Sequence, residues 1–376
     1  MRRRPVGRQG IAQQGRVVGA ARHDPPVAVT TGTPSLRVIF ARSVVRRPRS
    51  WKIHPKTHGF LPCKVPLEGL QSSCQPSQRS EDSRAKMTQP LGITDCHVHI
   101  FEPTRHPYQQ RRSYTPGRAG VLALHNHLHR VGADRVVLVQ PSVYGSDNSA
   151  MLGALKELGP SMARGVAVID LTTTEEELEI LAATGVRGLR LNVSADPQRT
   201  PLNFADELRA LLNRTAPSSL LVEIFAAPSV LAEAAQVISE SPVPVLLDHF
   251  GGVRATPTGT LEGAETVLDL YAQPQVWVKL SAPYRVGQEH EVTDLLPSFV
   301  QTLTSVSHER LVWASDWPHT GGGQDRAIRN LAQVEPFRKY DAAASVRQVS
   351  EWIAAPEAIK AIFKENAKSL YGFPQD

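Results

Sequence analysis

The sequence predicts a (β/α)8 barrel, and three observations predict it. Eight short runs rich in β-branched and apolar residues recur after Met87, stretches with helical apolar spacing separate them, and polar residues collect at the C-terminal ends of the runs. An open doubly wound sheet is the structural rival. Its dinucleotide-binding form carries a G-x-G-x-x-G loop after the first strand, and no such loop follows here.

Taken in order, the first run is GITDCHVHI (92–100), where Asp95, His97 and His99 alternate and so share one face of an extended strand. The helical stretch AGVLALHNHLHRVG (119–132) leads to DRVVLVQPS (134–142), which ends on Gln140 and Ser142. GSDNSAMLGALKEL offers Ser146 and Asp147 as N-caps before ARGVAVID (163–170). TTEEELEILAATG supplies an N-cap and first-turn acids before GVRGLRLN (185–192), with Arg190 and Asn192 at its end. NFADELRALLNRT precedes SLLVEIFA (219–226), which carries Glu223 late, and SVLAEAAQVISE precedes VPVLLDHFG (243–251), which carries Asp248 and His249. QVWVKLSA (275–282) ends on Lys279 and Ser281, and EVTDLLPSFVQTLTSVS leads to RLVWASDWP (310–318) with Asp316.

In a parallel barrel these strand ends form one mouth. Each polar group left unpaired there costs several kcal/mol, so folding alone gives no reason to collect them, whereas a reaction site does. Two neighbouring imidazoles at 97 and 99 suit either a metal ion or hydrogen bonding to a substrate oxygen.

The formal net charge of +6 misdescribes the barrel. Residues 1–86 hold 17 Lys and Arg against 4 Asp and Glu, leaving 25 basic and 32 acidic side chains in residues 87–376, which argues against nucleic-acid binding by the latter. Residues 1–86 read as a disordered basic extension, rich in Arg, Pro, Ser and Gln without an apolar period. A mitochondrial-type leader and a regulatory arm both fit; an artefact of the gene model, with Met87 as the natural start, is favoured. Cys63, Cys74 and Cys96 are too few for a disulfide framework, and no run approaches the roughly 18–20 apolar residues of a membrane span. The expectation is a cytoplasmic monomer or homodimer (mitochondrial if the extension is a leader), without membrane or nucleic-acid partners.

The ordered motifs DCHVHIF, VQPSVYGSDN, GVRGLRLN, LLDHFGG, WVKLSAPYR, LVWASDWPH and FKENAKSLYGF resemble the amidohydrolase superfamily, in its amidohydrolase-related (amidohydrolase 2) branch, over residues 90–373. One H-x-H is weak, but the ordered set, each member at its strand end, is specific. Within the branch the resemblance is closest to 2-pyrone-4,6-dicarboxylate lactonases and related sugar-lactone hydrolases. It implies hydrolysis of a lactone of a small carboxylated metabolite, with Asp316 handling the attacking water and His97, His99 and His249 around the scissile carbonyl. Arg190 and Arg285 match positions that grip substrate carboxylates; Ser142, Tyr144 and Tyr284 stand in the mouth loops as further substrate contacts. The alternatives are a metal-dependent decarboxylase of an aromatic or unsaturated acid, and a barrel that binds an acidic metabolite without turnover. LNVSADPQRT departs from the dicarboxylate pattern, placing Asp196 where a second basic residue is expected, with Arg199 beyond.

The resemblance also frames the metal question. A two-metal site needs a bridging lysine on strand four, and GVRGLRLN has none. A one-metal site normally adds a strand-five histidine, where LLVEIFA has Phe225, with Glu223 deeper on the same face. A metal-free site is expected, the alternative being one zinc or manganese ion held by His97, His99, His249 and Asp316. Asp95 is expected to orient His97 or its loop. Asp248, adjacent to His249, is expected to face away and serve structure. His125, His127 and His129 fall mid-helix on the barrel's outside, Trp313 and Trp317 pack beside Asp316, and the closing FKENAKSLYGF reads as a packing helix.

Overall fold

The computed structural model describes residues 92–170, 172–196, 201–321 and 329–374. The 1–86 extension, Cys63, Cys74 and Arg199 lie outside the described residues. Eight parallel strands follow one another in chain order: β1 (Ile93–Val98), β2 (Ala133–Val139), β3 (Ala163–Ala167), β4 (Val186–Asn192), β5 (Leu221–Phe225), β6 (Val245–Leu247), β7 (Val276–Ser281) and β8 (Leu311–Ala314). Just beyond β8 the sheet meets its own first strand. Asp316 N–H donates to His97 O at 3.0 Å and His99 N–H to Trp317 O at 2.8 Å, closing the barrel of the expected fold class.

Helices α1 (Val121–Val131), α2 (Ser149–Leu158), α3 (Glu175–Thr184) and α4 (Phe204–Thr215) follow β1 to β4. Short α5 (Pro228–Glu233) and α6 (Ala235–Ser239) follow β5. A two-residue ribbon, Arg254–Ala255 against Leu261–Glu262, and α7 (Ala264–Tyr271) join β6 to β7, and α8 (Glu289–Val306) joins β7 to β8. Then come α9 (Ala342–Ile353), α10 (Pro356–Lys360) and α11 (Asn366–Tyr371). Among the described residues no helix is long and apolar enough to cross a membrane.

Local chemistry sets the boundaries. The Thr174 hydroxyl accepts Glu177 N–H while the Glu177 carboxylate accepts Thr174 N–H at 2.7 Å, so TTTEEE starts α3 with reciprocal caps and acids at its positive end. Gly185, at φ 108°, ends α3 in the left-handed conformation that glycine adopts without steric cost.

Alternation along the strands divides the apolar residues into two cores. Val136, Leu138, Val245, Leu247, Val276 and Val278 pack with the buried helix faces. Val137, Val139, Val166, Leu221, Leu246 and Val312 fill the inside of the barrel together with Ala367, Tyr371 and Phe373 from the closing segment. Phe363 stacks on Trp313 with centroids 5.5 Å apart, and Arg164, the second residue of β3, donates to Gly372 O at 2.7 Å. FKENAKSLYGF is therefore a packing element. It seals the end where strands begin and leaves the other end for chemistry.

Candidate active site

The site begins with a break in alternation. The β1–β2 register is irregular between Asp95 and Val98, so Asp95 and His97 do not share a face as the plain pleat predicts. Cys96 packs inside the barrel with Val137, Val139 and Val312. Asp95 faces outward: its Oδ2 lies 2.9 Å from His127 Nε2 on α1, and its Oδ1 accepts N–H from Ser315 at 2.9 Å and from His97 at 3.3 Å. All three histidines of α1 lie on the barrel's outside: His125 and His129 are exposed, and His127 is packed beneath Trp317. One carboxylate thus holds the backbone of His97 and of the turn before Asp316.

Asp316 projects into the barrel from that turn in a left-handed conformation, φ 61°, a strain of order 1–3 kcal/mol for a non-glycine residue. Its Oδ2 accepts Arg285 Nε at 2.8 Å and the Tyr284 hydroxyl at 2.8 Å, and pairs with Arg285 Nη2 at 2.6 Å. Its Oδ1 is buried without a hydrogen-bond partner, 3.7 Å from both His97 Nε2 and His99 Nε2 and 4.0 Å from His249 Nε2. Burial alone raises a carboxyl; the Arg285 guanidinium outweighs it and holds Asp316 far below the usual carboxylate range. Burial, then the charge of Asp316, keeps the Tyr284 phenol protonated, well above its ordinary value.

The imidazoles are neutral for the same reason that they are inside. Burial lowers His99 to about 4 and His249 to about 3, and pushes His97 well below its ordinary value. His99 Nδ1 lies 2.8 Å from Val139 O, and a carbonyl only accepts, so Nδ1 carries the proton and Nε2 presents a lone pair. This corrects the role expected for His99: it can accept a proton from water or bind a cation, but it cannot donate to a carbonyl oxygen. His249 Nδ1 is held by Ser281 Oγ at 2.8 Å, and the Phe225 ring stands edge-on to the His249 ring at 4.8 Å, in the place where a strand-five histidine was sought.

Beneath lies a second layer. Arg190 Nη2 is 2.9 Å from Asp248 Oδ2, and Arg190 Nε is 3.3 Å from Glu223 Oε1. Lys279 Nζ is 2.7 Å from Glu223 Oε2, 3.0 Å from Asp248 Oδ1 and 2.9 Å from His97 Nδ1. Asp248 therefore faces inward, correcting the expectation that it points away. Asp248 is extended and shares the inner face with Leu246, while the left-handed His249 at φ 50° and Phe250 at φ 56° turn the next side chain into the barrel as well. Gly252 completes that turn, because a Cβ there would lie 2.5 Å from Ala226 O. Burial and then Asp248 raise Glu223 to about 7; burial lowers Lys279, but the two carboxylates outweigh it and keep the ammonium charged.

The small cavity above is bounded by His99, Ser142, Arg190, His249, Arg285 and Asp316, with Asn192 and Phe225 beside them. Ser142 thus stays in contact with it. Tyr144 does not: it is buried against Tyr108 and its hydroxyl accepts Glu102 N–H at 2.9 Å, so its substrate role is withdrawn. Tyr284 and Arg285 reach the site by holding Asp316. Tyr114 and Thr320 also line the cavity and escaped the sequence reading, which followed strand ends rather than the loops beyond them. The Thr320 hydroxyl accepts Arg285 Nη2 at 3.3 Å.

The sequence model of the amidohydrolase family (Amidohydro_2) matches residues 94–373. This chain belongs to that family. Among the relatives of this amidohydrolase, 2-pyrone-4,6-dicarboxylate hydrolase of Comamonas testosteroni is 32% identical over 252 residues, covering 63% of this chain and 80% of the relative. The 4-sulfomuconolactone hydrolase of Rhizobium radiobacter is 29% identical over 265 residues, covering 70% of this chain and 84% of the relative. A crystal structure of a probable 2-pyrone-4,6-dicarboxylic acid hydrolase from Acinetobacter baumannii, with citric acid bound, superposes with TM-score 0.62 at 27% identity, covering 75% of this amidohydrolase and 100% of that chain.

Proposed function

We propose that this amidohydrolase opens the lactone ring of a small carboxylated metabolite, using water activated by Asp316. The carrying observation is the divided Asp316 carboxylate. One oxygen is held by Arg285 and Tyr284, while the other is buried, unpartnered and faced by three neutral imidazoles. In this reading a water in the cavity donates a proton toward Asp316 Oδ1. His249, which lines the cavity, meets the lactone carbonyl and stabilises the developing oxyanion, a contribution of roughly 3 kcal/mol for a well-placed donor. The water proton passes to Asp316 as the C–O bond to water forms; the ring C–O bond then breaks and Asp316 returns the proton to the leaving oxygen. Arg285 and Arg190 line the cavity and offer an anionic ligand guanidinium contacts. With Asp196 standing where a further basic residue was sought, a lactone with one carboxylate fits this chain better than a dicarboxylate.

The family also implies a divalent ion, and the residues fit one. His97 Nε2 and His99 Nε2 are 3.3 Å apart, each 3.7 Å from the unpartnered Asp316 Oδ1, a nitrogen–nitrogen–oxygen set suited to zinc or manganese. His249 Nε2, at 4.0 Å from that oxygen, is the outlying fourth donor. When bound, such an ion would polarise the carbonyl. Metal-free hydrolysis remains the proposal, because Phe225 supplies no strand-five ligand and an activated ester needs less Lewis-acid help than an amide. The decarboxylase alternative requires the ion. Screening pyrone carboxylates and sugar lactones with chelator-treated protein tests both: ring opening without metal is expected, and a panel with no opening under either condition sinks the lactonase reading.

A further inference from the structure

We propose that Lys279 fixes the tautomer of His97, keeping the ring proton on Nε2, where it is donated to His99, so that the pair resists capture of a metal ion. The proposal goes beyond the lactonase reading and stands on the geometry around His97 alone.

The reasoning counts protons. Lys279 Nζ is surrounded by Glu223 Oε2 at 2.7 Å, His97 Nδ1 at 2.9 Å and Asp248 Oδ1 at 3.0 Å, all fully buried. An ammonium carries three protons and no lone pair, so it can only donate, and His97 Nδ1 must accept. A neutral imidazole has a single N–H, which is then on Nε2. The next ring reaches the same answer independently. His99 donates from Nδ1 to Val139 O and therefore offers a lone pair at Nε2, 3.3 Å from His97 Nε2. Lysine donates to His97, His97 to His99, and His99 to a carbonyl. Reversing any one link sets two protons or two lone pairs face to face.

A cation held between the rings needs lone pairs at both Nε2 atoms. The His97 proton would have to move to Nδ1, toward Asp248 Oδ1 at 3.3 Å or Glu223 Oε1 at 3.4 Å, against the Lys279 proton already pointing there. Lys279 does not line the cavity and acts only through His97, as a positioning residue.

Long-range proton–nitrogen NMR correlation of the histidine rings in the full, chelator-treated chain reads this directly. His97 should be protonated at Nε2 and bare at Nδ1, and His99 the reverse. A His97 proton on Nδ1 overturns the proposal without touching the lactonase reading. Correct tautomers in a protein that opens no lactone would instead sink the lactonase reading and leave the tautomer assignment standing. Lys279→Gln keeps an N–H donor and should preserve the wild-type tautomer; a switched tautomer counts against the proposal. Lys279→Met removes the donor and should move the proton to Nδ1 and tighten Zn²⁺ binding in calorimetric titration at least tenfold. Unchanged Zn²⁺ affinity in folded Lys279→Met also overturns it. If Lys279→Met does not fold, the wild-type and Lys279→Gln spectra decide.

Discussion

Replacing Asp316 with asparagine separates catalysis from binding at this site. The change removes one charge from a fully buried position and leaves the shape intact. The amide oxygen can still accept from Arg285 and Tyr284, which puts the amide NH2 toward the imidazoles, a donor where the water needs an acceptor. Loss of a general base lowers kcat by roughly 10²–10⁴. Stability falls less than for a fully buried broken ion pair, for which about 3–5 kcal/mol is typical. The Arg285 side chain is 17% exposed and keeps its hydrogen bond, so a loss of about 1–3 kcal/mol is expected. Arg285, no longer neutralised, then favours a ligand carboxylate, so KM for an anionic lactone should hold or fall. Lactone absorbance at pH 7.5, calorimetric melting and titration with the ring-opened product measure the three quantities. A folded Asn variant turning over within tenfold of the parent would refute the base assignment, and a raised KM with intact kcat would make Asp316 a binding residue.

Other consequences follow from the same contacts. Arg285→Met releases Asp316 from the guanidinium that depresses it. The wild-type carboxyl stays ionised across pH 5–8 and gives kcat/KM no acid limb there, whereas the variant should bring one into view; identical profiles would contradict the pairing. His99 and His319 are both lowered to about 4 by burial, so between pH 6.5 and 4 the unfolded chain binds protons that the folded chain refuses. Stability should therefore fall with pH across that window, by up to roughly 3 kcal/mol for each, and a flat melting temperature from pH 7 to 4.5 would argue against neutral buried rings. His127→Leu removes the partner of Asp95, and about 1–3 kcal/mol of stability should go with it. Because Asp95 also holds Ser315 N–H, kcat should drop more than KM changes; an unaltered melting curve would count against that seam.

How much was legible turns on where the backbone is regular. The eight strands were readable because period-two runs and helix-period stretches repeat with their own boundary chemistry, as at Thr174 and Gly185. The convergence of His97, His99, His249 and Asp316 was readable because all four fall at strand ends. The misplacements arise where alternation stops. His249, Ala282 and Asp316, at φ 50°, 53° and 61°, each take a left-handed turn just after β6, β7 and β8. No residue type announces such a turn outside glycine, asparagine and aspartate. The β6 turn brings His249 inward out of alternation, which is why Asp248 was read as facing away; Asp95 was read as facing in because the β1 register is irregular between Asp95 and Val98. Tyr144 failed differently: a phenol in a mouth loop is chemically apt, and only coordinates show its hydroxyl spent on Glu102 N–H.

The inner layer determines the charge that a ligand meets. Asp248, on the inner face with Leu246, stands beside Glu223, adds a second carboxylate to the lower layer and occupies Arg190 and Lys279. Arg285 is likewise paired with Asp316. Arg190, Lys279 and Arg285 thus stand against Asp248, Asp316 and Glu223, the last raised to about 7 by burial. The site therefore has little surplus positive charge of its own to attract an anion. A carboxylated lactone must bind by partner exchange, competing with an internal carboxylate for a guanidinium already in the cavity wall. Of the two guanidiniums Arg285 is the easier to share, since its side chain is 17% exposed against 3% for Arg190, and its partner is the residue that must take a proton from water. Carboxylate recognition and base strength therefore meet at one side chain, and no substitution of Arg285 can alter the first without altering the second.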